Sequence, residues 1–440
     1  MLRIFSLFIS AFLLSNQVAL GKTYYVAPPG TQTSSSPDGS EASPFSAINQ
    51  AFGSGKIKGG DILLLMDGAY GSLTIKANAI FDTPVTIMSQ NGKGAHFDNI
   101  LLAGKTRNLT LRDLSVWPSS PEDGGTNYLV RAYDTTANIM VDGLDVRSEE
   151  GADSYAQWDA DKWNSRKFSG ILLQGPNATV ANNQLTGIYH GIIVVEKNSL
   201  ISNNTIQGFN GDGMRAGSHS LVQGNHVSDC VKTDNNHDDG FQAMSAKNLV
   251  IDSNVIIEWS GGKDHPLRCA LQGIGLFDGP YENVTITNND VAVTAIHGIS
   301  VYGAHGAEIT DNVVVNGLGQ TGKYPYIGVY ARKDGTPSTD VLVSDNFAMS
   351  FQVDASAKNR IRLLKNSVIR TPARVLRENP IFGGIPTAPP VEPIIPVEPV
   401  IPVAPPANEP AISPVPVPSA GLLLLGALGS LAALRRRKAN

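Results

Sequence analysis

Ile201-Ser202-Asn203-Asn204-Thr205-Ile206 sets an apolar residue on either side of a central asparagine, and the unit returns down the chain. It recurs as Val222 to Val227 around Asn225, Ile251 to Ile256 around Asn254, and Ile286 to Val291 around Asn289. Ile309 to Val314 around Asn312 and Leu363 to Val368 around Asn366 continue it. Successive asparagines stand 21, 29, 35, 23 and 54 residues apart, and Asn346 divides the last interval into 34 and 20. Units of 20-odd residues with insertions are the coils of a solenoid. Stacked in register, the asparagines form an amide ladder, each side chain satisfying the next along the axis.

A second strand follows a glycine in each unit: Ser169-Gly170-Ile171, His190-Gly191-Ile192, Asp212-Gly213-Met214, Asp239-Gly240-Phe241, Gln272-Gly273-Ile274, His297-Gly298-Ile299 and Ile327-Gly328-Val329. Period-two alternation places the first and third residues after glycine inside, such as Ile171 and Leu173, Met214 and Ala216, or Ile299 and Val301. A helical repeat is excluded by that period and by the lack of helix-forming runs. With 44 glycines and only 17% charged residues, the chain suits many short strands joined by turns. The expectation is an all-β, right-handed parallel β-helix, one elongated solenoid over residues 22–386.

The start of the chain fits the same architecture. Thr23-Tyr24-Tyr25-Val26-Ala27 precedes Ser43-Pro44-Phe45-Ser46-Ala47-Ile48, where a short N-terminal helix is expected to cover the open end. Gly59-Gly60-Asp61-Ile62-Leu63-Leu64 and Asp67-Gly68-Ala69-Tyr70 follow. With the repeats, this opening resembles the β-helix polysaccharide lyases, including alginate and chondroitin lyases, over roughly residues 23–380. The resemblance implies a carbohydrate-active fold and leaves the reaction open, because one fold serves several chemistries.

Residues before and two after each glycine point outward, stacked ~4.8 Å apart from coil to coil. The first column reads Ser169, His190, Asp212, Asp239, Gln272, His297, Ile327, and the second Leu172, Ile193, Arg215, Gln242, Gly275, Ser300, Tyr330. Asp, His, Arg and Gln are thus concentrated in four or five middle coils, where an ordinary solvated face scatters Ser, Thr, Lys and Asn. His237, Asp239, Asp212 and Arg215 are the candidate catalytic residues. Asp212 and Asp239 fall on neighbouring coils, and two carboxylates that close share a proton or a cation. Asp212, Asp238 and Asp239 are therefore candidate ligands for Ca²⁺, a hard cation that takes oxygen ligands. The alternative is that Arg215 pairs with Asp239 and the remainder is turn chemistry. His190, Gln242, His297, Tyr302, Tyr330 and Arg332 extend the strip as candidate substrate contacts. The insertion Gly261 to Arg268 is expected to roof it with Lys263, His265 and Arg268; an ordinary polar loop is the competing reading.

Charge narrows the substrate. Setting aside Arg3, the four basic residues of the tail, and Glu392, Glu398 and Glu409 leaves residues 22–386 with 29 basic and 36 acidic side chains, a balance of about −7. That surface does not suit nucleic acid. An acidic polysaccharide has to be captured by local cations rather than long-range attraction. Lyases and mannuronan epimerases both remove the proton beside a uronate carboxylate, which takes a group to neutralise the carboxylate, a base and, for lyases, a proton donor. His237-Asp238 matches half of the epimerases' Asp-Pro-His-Asp/Glu motif, with Asn236 in place of proline, and no lysine stands in the column where alginate lyases use one. Gly211-Asp212-Gly213, Asp238-Asp239-Gly240 and His297-Gly298-Ile299-Ser300 are similar to polygalacturonase motifs, with the Gln272 coil intervening. A uronate-polysaccharide lyase or epimerase is the leading expectation. A polygalacturonase-like inverting hydrolase and a non-catalytic polysaccharide-binding surface protein are the alternatives.

Both ends read as sorting signals. Arg3, the apolar run Ile4 to Leu14 and Ala19-Leu20-Gly21 make residues 1–21 a secretory signal peptide. Residues 387–418 are a proline-rich spacer, extended in the polyproline manner. Residues 419–440 hold an apolar run, Ala420 to Leu434, before Arg435-Arg436-Arg437-Lys438. With Val415-Pro416-Val417-Pro418-Ser419-Ala420, this tail resembles the PEP-CTERM-type sorting signals of Gram-negative bacteria, which implies an exosortase-like processing enzyme, membrane association through the tail and delivery outside the inner membrane, to the cell surface or as a secreted protein; a plain permanent anchor is the alternative. In such an oxidising compartment Cys230 and Cys269 either pair or remain free.

Overall fold

The computed structural model describes residues 21–369 apart from 32–33, 77–78, 121–126, 262–264, 318–323 and 355–359. The signal peptide, spacer and sorting tail expected from the sequence lie outside the described residues, save Gly21. Each coil contributes one strand to each of three parallel sheets. In one middle coil the chain runs through Ser169–Leu173 in the second sheet, Thr179–Ala181 in the first and Gln184–Ile188 in the third. It then re-enters the second sheet at Ile192–Val194, paired in register with the strand before. The described residues form a parallel β-helix.

The core is a continuous apolar column because alternate residues of every strand point inward. Ile171, Ile192, Met214, Phe241, Ile274 and Ile299 stack as one buried file along the second sheet. Asparagines close the corner between the first and third sheets. The side-chain amide of Asn204 donates to Val180 O and to Asn225 Oδ1, both at 2.9 Å, and Asn225 Oδ1 also accepts from Asn204 N at 3.0 Å. The same contacts link Asn183, Asn204, Asn225, Asn254, Asn289, Asn312, Asn346 and Asn366. The ladder thus satisfies buried backbone groups that the corner removes from the sheets.

The glycine column has a steric cause. A Cβ on Gly191 would stand 2.1 Å from Gly213 O, one on Gly213 2.7 Å from Gly240 O, and one on Gly273 2.2 Å from Gly298 O. The backbone itself fills that space. The column breaks at its end, where the sequence register needs correction. A bulge after His297 sets Tyr326 opposite His297 and Ile327 opposite Ile299, so Ile327 is buried and Gly328, not Tyr330, faces Ser300. The N-terminal helix also begins later than expected, at Ile48–Gly53, while Phe45 bridges in parallel to Val26. Ile48 and Ala51 join the core there.

Candidate site on the outer face of the second sheet

Turns leading from the third sheet into the second differ greatly in length, and the long ones build a wall. Residues 148–168 hold a 3₁₀ helix, Ala152–Gln157, and an α-helix, Ala160–Ser165. Ala152, Trp158, Trp163, Val231 and Trp259, from three successive long turns, pack into an apolar cluster separate from the main core. The Tyr155 hydroxyl donates to Asp229 Oδ2 at 2.5 Å, and Lys167 pairs with Asp234 at 3.1 Å. The Cys230–Cys269 disulfide ties the second and third of these turns together. No signal in the sequence repeat announces residues 148–168, because an insertion carries no periodicity of its own.

Behind this wall lie the acids. Asp212 and Asp239 are each only 1% exposed and Asp238 only 3%. The Asp239 amide donates to Asp212 Oδ1 at 3.1 Å, and Arg215 holds Asp212 Oδ2 through Nε at 2.5 Å and through Nη2. Arg215 thus pairs with Asp212, not with Asp239 as the alternative sequence reading had it. Asp238 Oδ2 lies 3.6 Å from Lys232 Nζ. Oδ1 of Asp238 and Oδ1 of Asp239 are buried without a hydrogen-bond partner. Burial pushes the Asp239 carboxyl up to about 8, with Asp212 nearby adding to the shift. Burial likewise raises Asp238 to about 7. A Cβ on Gly275 would come within 2.9 Å of Asp239 Oδ1, so the residue opposite Gln242 has to be small.

Around these acids the face opens. Arg215 has 34% of its side chain exposed. Gln242 follows it in register on the next coil. The Asp212 amide donates to His190 Nδ1 at 3.0 Å, which leaves the imidazole proton of a neutral ring on Nε2. Burial lowers the pKa of His190. His237 is exposed and lies close enough to His297 that, after burial, it helps to lower the latter's pKa. His297 Nδ1 is within hydrogen-bond distance of Ser300 Oγ (2.9 Å) and the Tyr326 hydroxyl (2.8 Å). Tyr302 and Tyr330 stack at 4.8 Å between centroids, with Phe277 5.4 Å from Tyr302. Arg332 lies on the turn beyond, 3.4 Å from Asp334.

Several expected site residues fall elsewhere. Arg268 pairs with the buried Glu258 and does not roof the strip. His265 stacks on Trp259 at 4.1 Å and bonds Ala156 O at 3.0 Å, so it belongs to the wall. Lys263 lies outside the described residues. Glu258, which also holds Thr294 N at 2.7 Å and Leu271 N at 3.1 Å, claims Arg268. Of the three expected metal ligands, Asp212 already has both oxygens bonded and Asp238 faces Lys232. Among the described residues the three do not gather their oxygens around one point: the Asp238 carboxylate lies within 4.8 Å of the Cys230 and Cys269 sulfurs, and Asp239 Oδ1 is left as a separate orphan. Lys232, Asp234, Lys167 and Tyr189 at the site's edge were not read from the sequence. They sit in turns, outside the repeating positions.

The model of a family described as the right handed beta helix region matches residues 166–363. No curated protein matches the chain in sequence. Among solved structures, the A-module of the Azotobacter vinelandii mannuronan C-5 epimerase AlgE6 aligns at 15% identity and a TM-score of 0.45, over 73% of this chain and 88% of that one. The A-module of the epimerase AlgE4 from the same organism aligns at 14% and 0.48, over 73% and 89%. A mannuronic acid specific polysaccharide family 6 lyase from human gut microbiota aligns at 13% and 0.42, over 79% and 82%. By its own coils and by the family model that matches them, the chain is a right-handed parallel β-helix.

Proposed function

We propose that this protein is an enzyme acting on an acidic, uronate-containing polysaccharide, and that it works by removing the proton beside the uronate carboxylate. The observation that carries this reading is Arg215, a partly exposed guanidinium fixed side-on by a buried partner, Asp212. Its outward N–H groups are a ready receptor for a carboxylate. A carboxylate bound there is neutralised, and the adjacent C5 proton becomes acidic enough to transfer. His237 is exposed beside the same strip and is the base in this proposal. In elimination the C5 proton passes to the base, its electron pair forms the C4–C5 double bond, and the C4–O bond breaks as the leaving oxygen gains a proton. In epimerisation the proton returns from the other face.

Asp212 and Asp239, candidates for direct chemistry on the sequence, become positioning residues here: one holds Arg215, the other fixes Asp212 and adds no charge while protonated. Burial weighs against the inverting hydrolase, which needs one carboxyl at the glycosidic oxygen and another at a water. All three acids lie behind the wall. Calcium remains part of the proposal, as an ion that would displace the proton of Asp239 and take its unpartnered Oδ1 as a ligand. So do export through residues 1–21 and processing at the tail, which the disulfide suits.

The test is incubation with alginate, pectate, hyaluronan and chondroitin while following ultraviolet absorbance and reducing ends together. Both signals rising supports elimination. Reducing ends alone would establish hydrolysis, and binding without chemistry would establish a surface-binding protein.

A further inference from the structure

The outer face of the second sheet continues beyond Arg215 toward the N-terminal coils, where the sequence columns show only bland residues. There a cavity of about 590 Å³ opens, lined by Asn99, Ser120, Tyr128, Arg131, Tyr133 and Phe168 among others. Arg131 is its cation. Its guanidinium lies 4.7 Å from the centre of the Tyr133 ring, and its Nε and Nη2 reach Gln174 Oε1 at 3.3 Å. Among the described residues no carboxylate pairs with it. Of the described residues that line it, Asp98 is the one acid, and it is already bonded to the amide and hydroxyl of Ser119.

Two observations join this cavity to the Arg215 site. Arg131 and Arg215 occupy the same outward column, related in register through Leu172 and Ile193. Three strand spacings separate them, roughly 14 Å along the axis at ~4.8 Å each. Tyr128 lines the cavity and is also close enough to Arg215 and Asp212 for both charges to act on its phenol. Between them in that column stand Leu172, which is buried, and Ile193, which is half-buried, and neither carries a charge.

We infer that this cavity is a second carboxylate subsite, in which Arg131 takes a uronate of the same polysaccharide chain several sugars away from the one at Arg215. The inference rests on the function proposed above, and it makes the enzyme one that reads acidic sugars at a spacing along the polymer. A guanidinium held on an aromatic ring, with only a neutral amide along one edge, suits a planar carboxylate. Tyr128, Tyr133 and Phe168 offer ring faces for the sugar.

The test is calorimetric binding of octamers of mannuronate and of galacturonate to the full chain, with carboxyl-reduced octamers as neutral controls. Arg131→Ala should weaken uronate binding about tenfold, the loss of one charge-assisted contact. It should leave the neutral octamers unchanged, and Arg131→Lys should recover most of the loss. Melting temperatures identify any variant that fails to fold, and Tyr133→Leu supplies an independent second variant that should also weaken binding. If wild type binds uronate octamers, Arg215→Lys weakens them and Arg131→Ala does not, the subsite is overturned while the proposed function survives. If wild type binds neither octamer, both fall.

Discussion

The amide of Asp239 donates to Oδ1 of Asp212 across the boundary between two coils, at 3.1 Å. That bond fixes the carboxyl that fixes Arg215, so this partly exposed guanidinium is oriented from behind by two buried acids. Asp239 itself remains protonated near neutral pH because burial disfavours its charge. Its neutrality leaves Arg215 opposed to one acid rather than two.

The buried acids make stability depend on pH. The folded pKa values of Asp238 (about 7) and Asp239 (about 8) stand above the ordinary carboxylate value of 3.8. Their contribution is complete below that lower value and is lost as pH rises toward 7 and 8. The melting temperature should therefore fall between about pH 4 and pH 8 and then level off. Asp239→Asn, neutral at every pH, should roughly halve that slope up to about pH 7 and remove it between about 7 and 8. Thermal scans across the range would contradict this if both proteins showed the same slope.

Removing Arg215 alone should destabilise the fold, because it leaves Asp212 buried and unpaired. Arg215→Met should cost on the order of 3 kcal/mol, the low end for a broken buried pair because Arg215 is partly exposed. The double variant Asp212→Asn with Arg215→Met should recover most of that stability in a denaturant titration. Activity should stay about 10²–10³-fold down in both. Recovery of activity with stability would show that Arg215 is only structural.

Calcium should raise the melting temperature, and chelator should lower it, if the orphan oxygen of Asp239 holds the ion. Asp239→Asn should then abolish the response. A wild-type protein indifferent to both additions would leave Lys232 and Arg215 as the neutralising groups.

The asparagine ladder offers a test of the fold alone. Asn254→Ala strips partners from Val222 O and from both the backbone amide and the side-chain amide of Asn225. At about 1–3 kcal/mol for each buried group orphaned, the loss should be about 3 kcal/mol or more. Asn366→Ala, at the half-buried end of the ladder, should cost within about 1 kcal/mol by the same reasoning. Equal losses would mean that the ladder does not carry stability unevenly along the axis.

The coils were legible because they repeat. Asn204, Asn225 and Asn254 mark a corner, and Gly191, Gly213 and Gly240 mark a backbone contact, each demanded again in every coil. The site was legible only where it shares those positions, as Asp212, Arg215 and Asp239 do. Period-two alternation says that a side chain leaves the core, not that it meets water. Asp212 and Asp239 prove buried, against neighbours such as His190 and Arg215 that the repeat itself does not specify. Arg268 was misplaced for the same reason, since nothing in an insertion's sequence shows that Glu258 will claim it. Ile327 slipped because the bulge after His297 shifts the glycine out of its column.

Proton abstraction beside the uronate carboxylate is the central claim, and exchange at that carbon reports it most directly. Alginate and pectate would be incubated with the full chain in heavy water and the C5 position followed by nuclear magnetic resonance. The account predicts loss of the C5 proton signal, either into an unsaturated uronate end or as deuterium retained on an intact polymer, and loss of both outcomes in Arg215→Lys. New chain ends that retain every C5 proton would contradict it.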